Sequence, residues 1–334
     1  MRAVAPPTPR LGDVGVVAIG RNEGARLEQC LHSVVGQADL IVYVDSGSTD
    51  GSVALAARLG ARVVSLDLDT PFTAARARNA GLAVVNRDAP YIHYIQFVDG
   101  DCEVEKGWLE IARSALVGRP DVAAVYGRRR ERFLEATIYN RMCDSEWNVP
   151  PGEVKFCGGD VMMRRDAVSE VGGYRGSLIA GEEPELCIRL RQRGWKILNV
   201  AHPMTIHDAA ITRFSQWWRR SMRAGYAFAE GRHLHGQPPT RHWVAESRRI
   251  MLWGVALPAA IVIAAYWSGP WAGVPALIYP LQVWRLHMRD ASRTGLPIAA
   301  SVLRVVGNFP EAAGQLKFQL DQLLSRKAKI IEYK

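Results

Sequence analysis

The first third of the chain alternates short apolar runs with segments in which apolar residues recur at helical spacing. Apolar runs over residues 14–19, 40–44, 61–66 and 91–98 predict buried strands. The segments between them, such as residues 25–35, predict helices. This alternation with short connections predicts an α/β fold with a parallel sheet covered by helices. In such a sheet, the loops at the carboxyl ends of the strands form the binding crevice.

The following stretch is less regular and contains several Gly-rich turns. Its apolar runs predict strands over residues 122–126 and 161–164, and its helical spacing predicts helices over 108–117 and 184–193 and from Asp166. The α/β domain is therefore predicted to span residues 13–235. Residues 1–12 contain three prolines and no apolar run, so they are predicted to be a disordered lead-in and not a signal peptide. The α/β domain is accordingly expected to stay in the cytosol.

A stretch of 35 residues, Ile250–Trp284, carries no charged side chain. This is longer than the roughly 20 residues that one membrane span needs, and Ser268-Gly269-Pro270 interrupts it in the middle. Arginines flank both ends, which places both ends in the cytosol. The sequence therefore predicts a hydrophobic helical hairpin that dips into or crosses the bilayer. A buried helical pair in a soluble domain is the alternative.

The C-terminal segment is predicted to be an amphipathic helix. Leu316, Leu320, Leu323 and Leu324 lie at helical spacing, and basic residues follow at Arg326, Lys327 and Lys329. Such a helix is typical of elements that lie on anionic lipid, although a basic face packed on the catalytic domain fits the same pattern. Residues 236–334 are therefore predicted to form a membrane-associated helical region.

Composition and charge narrow the class of protein. The 334 residues are 48% hydrophobic and 22% charged, which excludes a disordered or collagen-like chain. The net charge of +9 favours an anionic partner such as a nucleotide or a phospholipid surface. Five cysteines without a CxxC pair argue for a reducing compartment and against a zinc finger. Nucleic acid is not an expected partner, because Arg128–Arg130 with Arg132 is a single short basic run, which suits a phosphate contact or a solvated face.

The segment Asp99-Gly100-Asp101 follows an apolar strand. Two carboxylates at this spacing can point into one crevice, where they repel each other unless a cation lies between them. Mg²⁺ and Mn²⁺ take oxygen ligands and bridge to phosphate oxygens. A turn without a ligand explains the same residues, because Asp and Gly are also common in turns.

Two further segments carry groups suited to an anion or a nucleobase. Asp45 opens a loop after the second predicted strand, and Asp50 there can cap the following helix. Arg76 and Arg78 fall in the first turns of a helix, where cations are electrostatically unfavourable, so an anionic or base ligand would explain them. A solvent-facing arginine remains an alternative for one of the two.

Acidic residues also precede the predicted helix at 184–193. Glu182 and Glu183 can cap that helix or supply a general base, since deprotonating a sugar hydroxyl requires a carboxylate or a histidine in a crevice. His207 follows a strand-like run and is either structural or a ligand.

Together these segments resemble the family 2 glycosyltransferases, membrane-associated bacterial members in particular, which have the GT-A fold. The resemblance runs from about Val14 to about Gly231. Its landmarks arrive in family order: Asn22-Glu23, VDSGSTDGS from Val44, ARNAG from Ala77, the DGD at Asp99, Gly158-Gly159-Asp160 with Arg164, Gly172-Gly173-Tyr174, and the acidic pair before LCIRL. It implies a mixed, mostly parallel sheet flanked by helices, a nucleotide-diphospho-sugar transferase architecture, here followed by the hydrophobic hairpin and the amphipathic helix.

The resemblance also implies donor and metal contacts. Asn22, Asp45 and Arg78 fall where the family binds the nucleotide-sugar, with Asp45 and Arg78 at the base. Asp99 falls at the nucleotide-sugar side of the metal motif. With Asp99, the implied ligands of Mg²⁺ or Mn²⁺ are Asp101 and His207, which falls near a histidine that completes the metal site in some members. Ser46 replaces a frequent second Asp, which leaves the nucleotide open.

The implied catalytic base is Glu183, where the family usually has Asp, with Glu182 before it. The extra methylene makes Glu182 or Glu185 a rival. The implied reaction is one in-line displacement that inverts the anomeric carbon: the base takes a proton from an acceptor hydroxyl while a nucleoside diphosphate departs. The expected acceptor is a lipid-linked or polysaccharide precursor at the cytoplasmic face of the membrane. Gln216-Trp217-Trp218-Arg219-Arg220 matches the QxxRW of processive synthases only loosely, which argues against a polymerising channel.

The same residues bear on three other classes of protein. A Rossmann dehydrogenase would carry GxGxxG after the first strand, where this chain has GRNEG from Gly20. A sugar nucleotidyltransferase would carry a Gly-rich loop with Arg and Lys at that place. A catalytically inactive membrane scaffold with a transferase-like domain has no need of the acidic residues at positions 99, 101 and 183.

Overall fold

The computed structural model describes residues 11–268, 270–326 and 330–332, with the backbone alone at residues 268 and 270–273. Most of the predicted lead-in, together with Lys327 and Lys329, lies outside the described residues. The described residues divide into two compact units. The first comprises residues 11–132, 146–178 and 182–209, and the second comprises residues 133–145, 179–181 and those from 210 onward.

The first unit is built on a nine-stranded sheet. Its strands are β1 (Val14–Gly20), β2 (Leu40–Asp45), β3 (Arg62–Ser65), β4 (Tyr94–Asp99), β5 (Cys102–Val104), β6 (Val122–Glu131), β7 (Gly152–Val154), β8 (Val161–Arg164) and β9 (Lys196–His207). Their spatial order is β3-β2-β1-β4-β8-β6-β9-β5, and β7 pairs with β9. The helices of the chain are α1 (Ala25–Val34), α2 (Ser52–Arg58), α3 (Ala74–Asp88), α4 (Trp108–Gly118), α5 (Ile138–Trp147), α6 (Arg165–Glu170), α7 (Glu182–Gln192), α8 (Phe214–His235), α9 (Val244–Met251), α10 (Leu257–Ser268), α11 (Ile278–Thr294), α12 (Ile298–Val306) and α13 (Asn308–Leu323).

The long ladders of the sheet are parallel, and the antiparallel pairs are short. Strands β1 to β4 form one parallel group, and β6 runs parallel to β9. Strand β8 is antiparallel to both β4 and β6 and joins the two groups. The predicted mixed, mostly parallel sheet flanked by helices is confirmed. Because β1, β2 and β4 are parallel, their carboxyl ends bring the loops after Gly20, Asp45 and Asp99 to one edge.

The last strand of the sheet is longer than the sequence pattern suggested. His207 does not follow a strand but is the final residue of the twelve-residue β9. The three-residue strand β5, which the apolar pattern did not predict, pairs with it, so that Cys102 lies opposite His207. Strand β6 likewise continues beyond Tyr126 to Glu131, which carries the basic run into the sheet.

The second unit is helical, and glycines allow two of its helices, α8 and α13, to pack closely. A Cβ on Gly225 of α8 would overlap the main chain of Glu311, and one on Gly314 of α13 would overlap that of Met222. Helices α8 and α13 therefore pack backbone against backbone. On the other face of α13, Leu316, Leu320, Leu323 and Leu324 are exposed.

In the uncharged stretch, α10 ends at Ser268, and a 3₁₀ helix at Pro270–Leu277 precedes α11. A π-helical turn at Leu252–Ala256 joins α9 to α10, so that Val244–Trp267 is a continuous 24-residue segment long and apolar enough to cross a membrane. Only 6% of its most apolar window is buried. The alternative of a buried helical pair therefore does not describe this structure.

Candidate active site

Arg78 is the centre of a cluster of ion pairs in the first unit. Its Nη1 lies 2.9 Å from Oε1 of Glu182 and 2.7 Å from Oε1 of Glu183, and its Nη2 donates to Oδ1 of Asp99 at 2.8 Å. The side chain is 2% exposed and lies over the ring of Tyr174. The anions that explain an arginine in the early turns of α3 thus include the protein's own carboxylates. Arg76, by contrast, donates to loop carbonyl groups.

Asp99 is held by two arginines and one buried carboxylate. Its Oδ2 lies 3.1 Å from Nη2 of Arg129, and its backbone N–H donates to Oδ1 of Asp160 at 3.0 Å. Burial alone would raise the pKa of Asp99, but the guanidinium groups of Arg78 and Arg129 hold it below its ordinary value. Asp99 is therefore ionised at neutral pH.

Asp160 is a buried carboxylate that holds Arg129 beside Asp99. Its side chain is fully buried, and its Oδ2 accepts hydrogen bonds from Nε of Arg129 at 2.8 Å and from the hydroxyl of Thr205 at 2.7 Å. Arg129 also lies over the ring of Trp147. These contacts fix the guanidinium group of Arg129 beside Asp99, and they overturn the expectation of a phosphate contact or solvated face at this position.

A glycine makes room for the cluster. A Cβ on Gly159 would overlap Nη2 of Arg78 and would lie 3.2 Å from both Oδ2 of Asp99 and Oε1 of Glu183. A side chain at this position would thus intrude on three functional groups at once. The neighbouring Gly158 has open space at the same position, with no atom within 4 Å.

The acidic pair belongs to the first turn of α7. Burial and then the negative charge of Glu182 raise the pKa of Glu183 to about 7, against the opposing effect of Arg78. Glu185, the other rival base, is 2% exposed and pairs with Arg189 at 2.7 Å and with Arg175 at 3.3 Å. Its carboxylate is therefore engaged in a separate ion pair on the same helix.

Asp101 and His207 come together as possible metal ligands. Oδ2 of Asp101 lies 3.4 Å from Nε2 of His207, and both side chains are less than a tenth exposed. The Sγ atom of Cys102 lies within 4.8 Å of their ligand atoms. Burial raises the pKa of the Cys102 thiol, and a neutral thiol is a weaker ligand than a carboxylate for the hard cations Mn²⁺ and Mg²⁺. The carboxylate oxygen of Asp101 suits either ion, and the imidazole nitrogen of His207 favours Mn²⁺ over Mg²⁺.

The charge of the cluster also fits a cation. The carboxylates of Asp99, Asp101, Asp160, Glu182 and Glu183 outnumber the guanidinium groups of Arg78 and Arg129. Since unbalanced buried charge is costly, a divalent cation beside Asp101 would offset the excess.

Of the predicted nucleotide-binding residues, Arg78 lies in α3, Asp45 is the last residue of β2, and Asn22 lies in the loop after β1. The carboxylate of Asp45 is 3% exposed, and it accepts the amides of Gly47 and Ser48 at 2.9 Å and the hydroxyl of Tyr43 at 3.1 Å. Asn22, at a positive φ of 55°, accepts the amide of Thr49 at 2.7 Å. These two residues shape and join the loops. No contact links either of them to the Arg78 cluster among the hydrogen bonds and ion pairs of the described residues.

Sequence reasoning missed the roles of Arg129 and Asp160. Arg129 stood in a run of arginines whose neighbours pair with surface carboxylates: Arg130 with Glu105 and Arg132 with Glu103. The available signal was the alternation of side chains along a strand, which would have placed Arg129 on the opposite face from its neighbours. Asp160 belongs to the Gly158-Gly159-Asp160 motif, which by itself indicates no role for this residue.

Comparison with known proteins points to the glycosyltransferases. Residues 16–172 match the family model described as Glycosyl transferase family 2. A pre-mycofactocin glycosyltransferase of Mycobacterium tuberculosis is 27% identical over 285 residues, which are 78% of this chain and 58% of that protein. Glycosyltransferase AglE of Haloferax volcanii is 25% identical over 231 residues, which are 65% of this chain and 73% of that protein. The chain thus spans little more than half the length of the Mycobacterium relative.

A solved structure extends the comparison to the fold. A mannosyltransferase from Pyrobaculum calidifontis, in complex with GDP-Man and Mn²⁺, superposes with a TM-score of 0.61 at 19% identity, covering 93% of this chain and 88% of that one. At this identity the likeness shows a shared fold, and it confirms the predicted GT-A architecture. The family-model match over residues 16–172 and the likeness to these relatives support a glycosyltransferase family 2 domain in this chain.

Proposed function

We propose that the protein is an inverting glycosyltransferase that moves a sugar from a nucleotide-diphospho-sugar to a hydroxyl acceptor. The observation that carries the proposal is the convergence of Asp99 and Glu183 on Arg78 from separate segments of the chain. A donor-binding carboxylate and a candidate base then contact the same guanidinium group. Such proximity is what a single displacement between donor and acceptor requires.

Glu183 is the proposed catalytic base. A pKa of about 7 leaves a large fraction of this carboxylate ionised at neutral pH while making it a stronger base than a free glutamate. It accepts the proton of the acceptor hydroxyl as the oxygen attacks the anomeric carbon. One displacement from the face opposite the leaving group inverts the configuration and needs no covalent enzyme intermediate. Glu182, 2.9 Å from the same arginine, keeps Glu183 basic through its negative charge.

Asp101 and His207 are the residues proposed to hold Mn²⁺ or Mg²⁺. When bound, the ion supplies positive charge to the departing nucleoside diphosphate. The mannosyltransferase of the same fold was solved with Mn²⁺ and GDP-Man. Asp99 remains a proposed ligand or donor contact, and its pairing with two arginines favours the donor contact. Asn22, Asp45 and Arg78 are proposed to bind the nucleotide part of the donor.

The second part of the proposal concerns the membrane. We place the catalytic domain at residues 13–235 and a membrane-associated region at residues 236–334, at the cytoplasmic face of the membrane. The 24-residue apolar segment and the exposed leucines of α13 support this assignment. An enzyme held at the bilayer meets a lipid-linked acceptor at high local concentration. We therefore propose a lipid-linked or polysaccharide precursor as the acceptor.

A ligand panel followed by product analysis tests the proposed reaction. The full chain is heated with GDP, UDP or dTDP and their sugars, with and without Mn²⁺ or Mg²⁺. We expect one nucleotide series to raise the melting temperature, and to do so more strongly with metal. Transfer from that donor should then give a product whose anomeric configuration, read by NMR, is inverted.

The outcomes separate the alternatives. Glu183→Gln should retain the metal-dependent thermal shift and lose transfer. Stabilisation by no nucleotide would favour an inactive membrane scaffold. Release of pyrophosphate from a nucleoside triphosphate and a sugar phosphate would instead indicate a sugar nucleotidyltransferase. Retention of the anomeric configuration would contradict the single displacement.

A further inference from the structure

A second carboxylate lies behind the proposed metal ligand His207. Oε2 of Glu131 is 3.8 Å from Nδ1 of His207, on the side of the ring away from Asp101, whose Oδ2 faces Nε2. The Glu131 side chain is fully buried. The imidazole of His207 therefore lies between two carboxylates, one at each ring nitrogen.

The Nδ1 atom of His207 is the unexplained group in this arrangement. It is buried and has no hydrogen-bond partner. A buried polar atom without a partner costs roughly 1–3 kcal/mol, so its presence calls for an explanation. The ring is restrained by the edge of Trp147, with centroids 4.9 Å apart. A shift of less than 1 Å would bring Nδ1 within hydrogen-bond distance of Glu131.

The sheet fixes Glu131 in this place. Strands β6 and β9 are parallel here, and Glu131 is the register partner of His207. The amide of Arg132 donates to the carbonyl of His207 at 2.8 Å, and the amide of Ala209 donates to the side-chain Oε2 of Glu131 at 3.1 Å. The carboxylate of Glu131 therefore cannot move away from the imidazole without breaking its hydrogen bond to Ala209.

We propose that Glu131 is a positioning residue that fixes His207 as a metal ligand. Glu131 accepts a hydrogen bond from Nδ1–H, which leaves the lone pair of Nε2 free on the side of Asp101. A histidine ligand commonly donates its second ring N–H to a carboxylate, which sets the tautomer and the orientation of the ring. The inference rests on the proposed function, because it takes Asp101 and His207 as the metal site.

The test is Mn²⁺ affinity, measured by titration calorimetry on the full chain without donor. Glu131→Gln keeps the size of the side chain and should weaken Mn²⁺ binding by about 10- to 100-fold. Glu103→Gln is the matched control, because Glu103 lies on neighbouring β5 and pairs with Arg132. It should bind Mn²⁺ as the wild type does.

A double-mutant cycle separates positioning from a general structural effect. If Glu131 acts through the imidazole, Glu131→Gln should have no further effect on Mn²⁺ affinity when His207 is already Ala. Equal affinity of wild type and Glu131→Gln would overturn the inference while leaving the metal site intact. Additive losses in the cycle would overturn it as well. Failure of the wild type to bind Mn²⁺ would overturn the proposed metal site and, with it, the role of Glu131.

The tautomer gives a second readout that needs no destabilised variant. The wild-type chain labelled with ¹⁵N-histidine and loaded with diamagnetic Mg²⁺ should show His207 protonated at Nδ1 and bare at Nε2. The signal is assigned by its loss in His207→Gln. A proton on Nε2 of His207 in the loaded protein would contradict the proposal even if Glu131→Gln fails to fold.

Discussion

Nη1 of Arg78 lies 2.7 Å from Oε1 of Glu183, and Nη2 of the same guanidinium group lies 2.8 Å from Oδ1 of Asp99. A single buried side chain thus joins the carboxylate after strand β4 to the carboxylate that opens helix α7. Because Arg78 is almost fully buried, both carboxylates are fixed relative to α3.

Gly159→Ala should lower activity by disturbing the site and not the fold. The added methyl group would overlap Arg78 and approach Asp99 and Glu183 at 3.2 Å, so the ion pairs must separate. We expect at least a tenfold loss of kcat/KM, equivalent to about 1.4 kcal/mol in transition-state binding. Gly158→Ala is the matched control, because its methyl group would meet open space. Equal losses in the two variants would show that Gly159 is not protecting the cluster.

Glu183→Gln should lower kcat by about 10²- to 10⁴-fold, the range for loss of a general base. The amide keeps the shape of the side chain, so donor affinity, measured by calorimetry, should change little. Glu182→Gln should have a smaller effect on kcat, since Glu182 acts on the charge of its neighbour. A larger loss from Glu182→Gln than from Glu183→Gln would mean that the base is misassigned.

The pH dependence of kcat/KM should rise through about 7 as Glu183 loses its proton. Glu182→Gln removes the neighbouring negative charge and should move this midpoint to lower pH. The raised pKa of Glu183 also makes stability depend on pH, but stability falls as the pH rises, whereas kcat/KM increases. Because folding raises the pKa of Glu183 from 4.5, its contribution to folding is complete below about 4.5 and is lost as the pH rises to about 7. If Glu182→Gln leaves the midpoint unchanged, the group that titrates is not Glu183.

Asp101→Asn should abolish metal-dependent transfer and leave the melting temperature near that of the wild type. The amide retains the volume of the side chain but loses the charge that a divalent cation requires. Asp121→Asn is a suitable control, because Asp121 is a surface residue paired with Arg119 and Lys196. Near-normal turnover of Asp101→Asn with Mn²⁺ would refute the metal role.

The protein should fractionate with membranes and remain there after a wash at 1 M salt, which screens charges beyond about 3 Å. Val262→Asp combined with Ile263→Asp should release it, since each carboxylate within a membrane helix costs about 2.5–3.5 kcal/mol. Both positions are well exposed on α10, at 68% and 59%. Val117→Asp, at a valine 54% exposed on α4, is the control and should stay bound. Release of the wild type by salt alone would limit the contact to surface charge.

Strand and loop positions around the site follow from local pattern. The apolar runs ending at Asp45 and Asp99 predicted parallel strands, and parallel strands necessarily present their carboxyl ends at one edge. The same reasoning found the acidic start of α7 and the uncharged apolar stretch. These features depend on residues close together in the chain, so periodicity and turn chemistry suffice to find them.

The pairing partners of the site did not follow from local pattern. Arg129 reaches Asp99 across 30 positions and Asp160 across 31, on a strand whose register with β9 shifts between Arg128 and Arg129. Strand alternation indicates the face on which Arg129 lies, but no sequence period marks the register shift or identifies these distant partners. The place of His207 within β9, and not after it, depends likewise on pairing with the short strand β5.

The amino-acid sequence by itself determined the fold class, the acidic residues at the strand ends and at the start of α7, and the uncharged apolar stretch, because each depends on the spacing of neighbouring residues. Only the tertiary structure decided which charges meet. It brought Arg78 to both Glu183 and Asp99, buried Arg129 beside Asp160, and placed Glu131 behind His207. Burial raises the pKa of Glu183 and strengthens the ion pairs of Arg78, and burial is a property of the assembled sheet and not of any one segment.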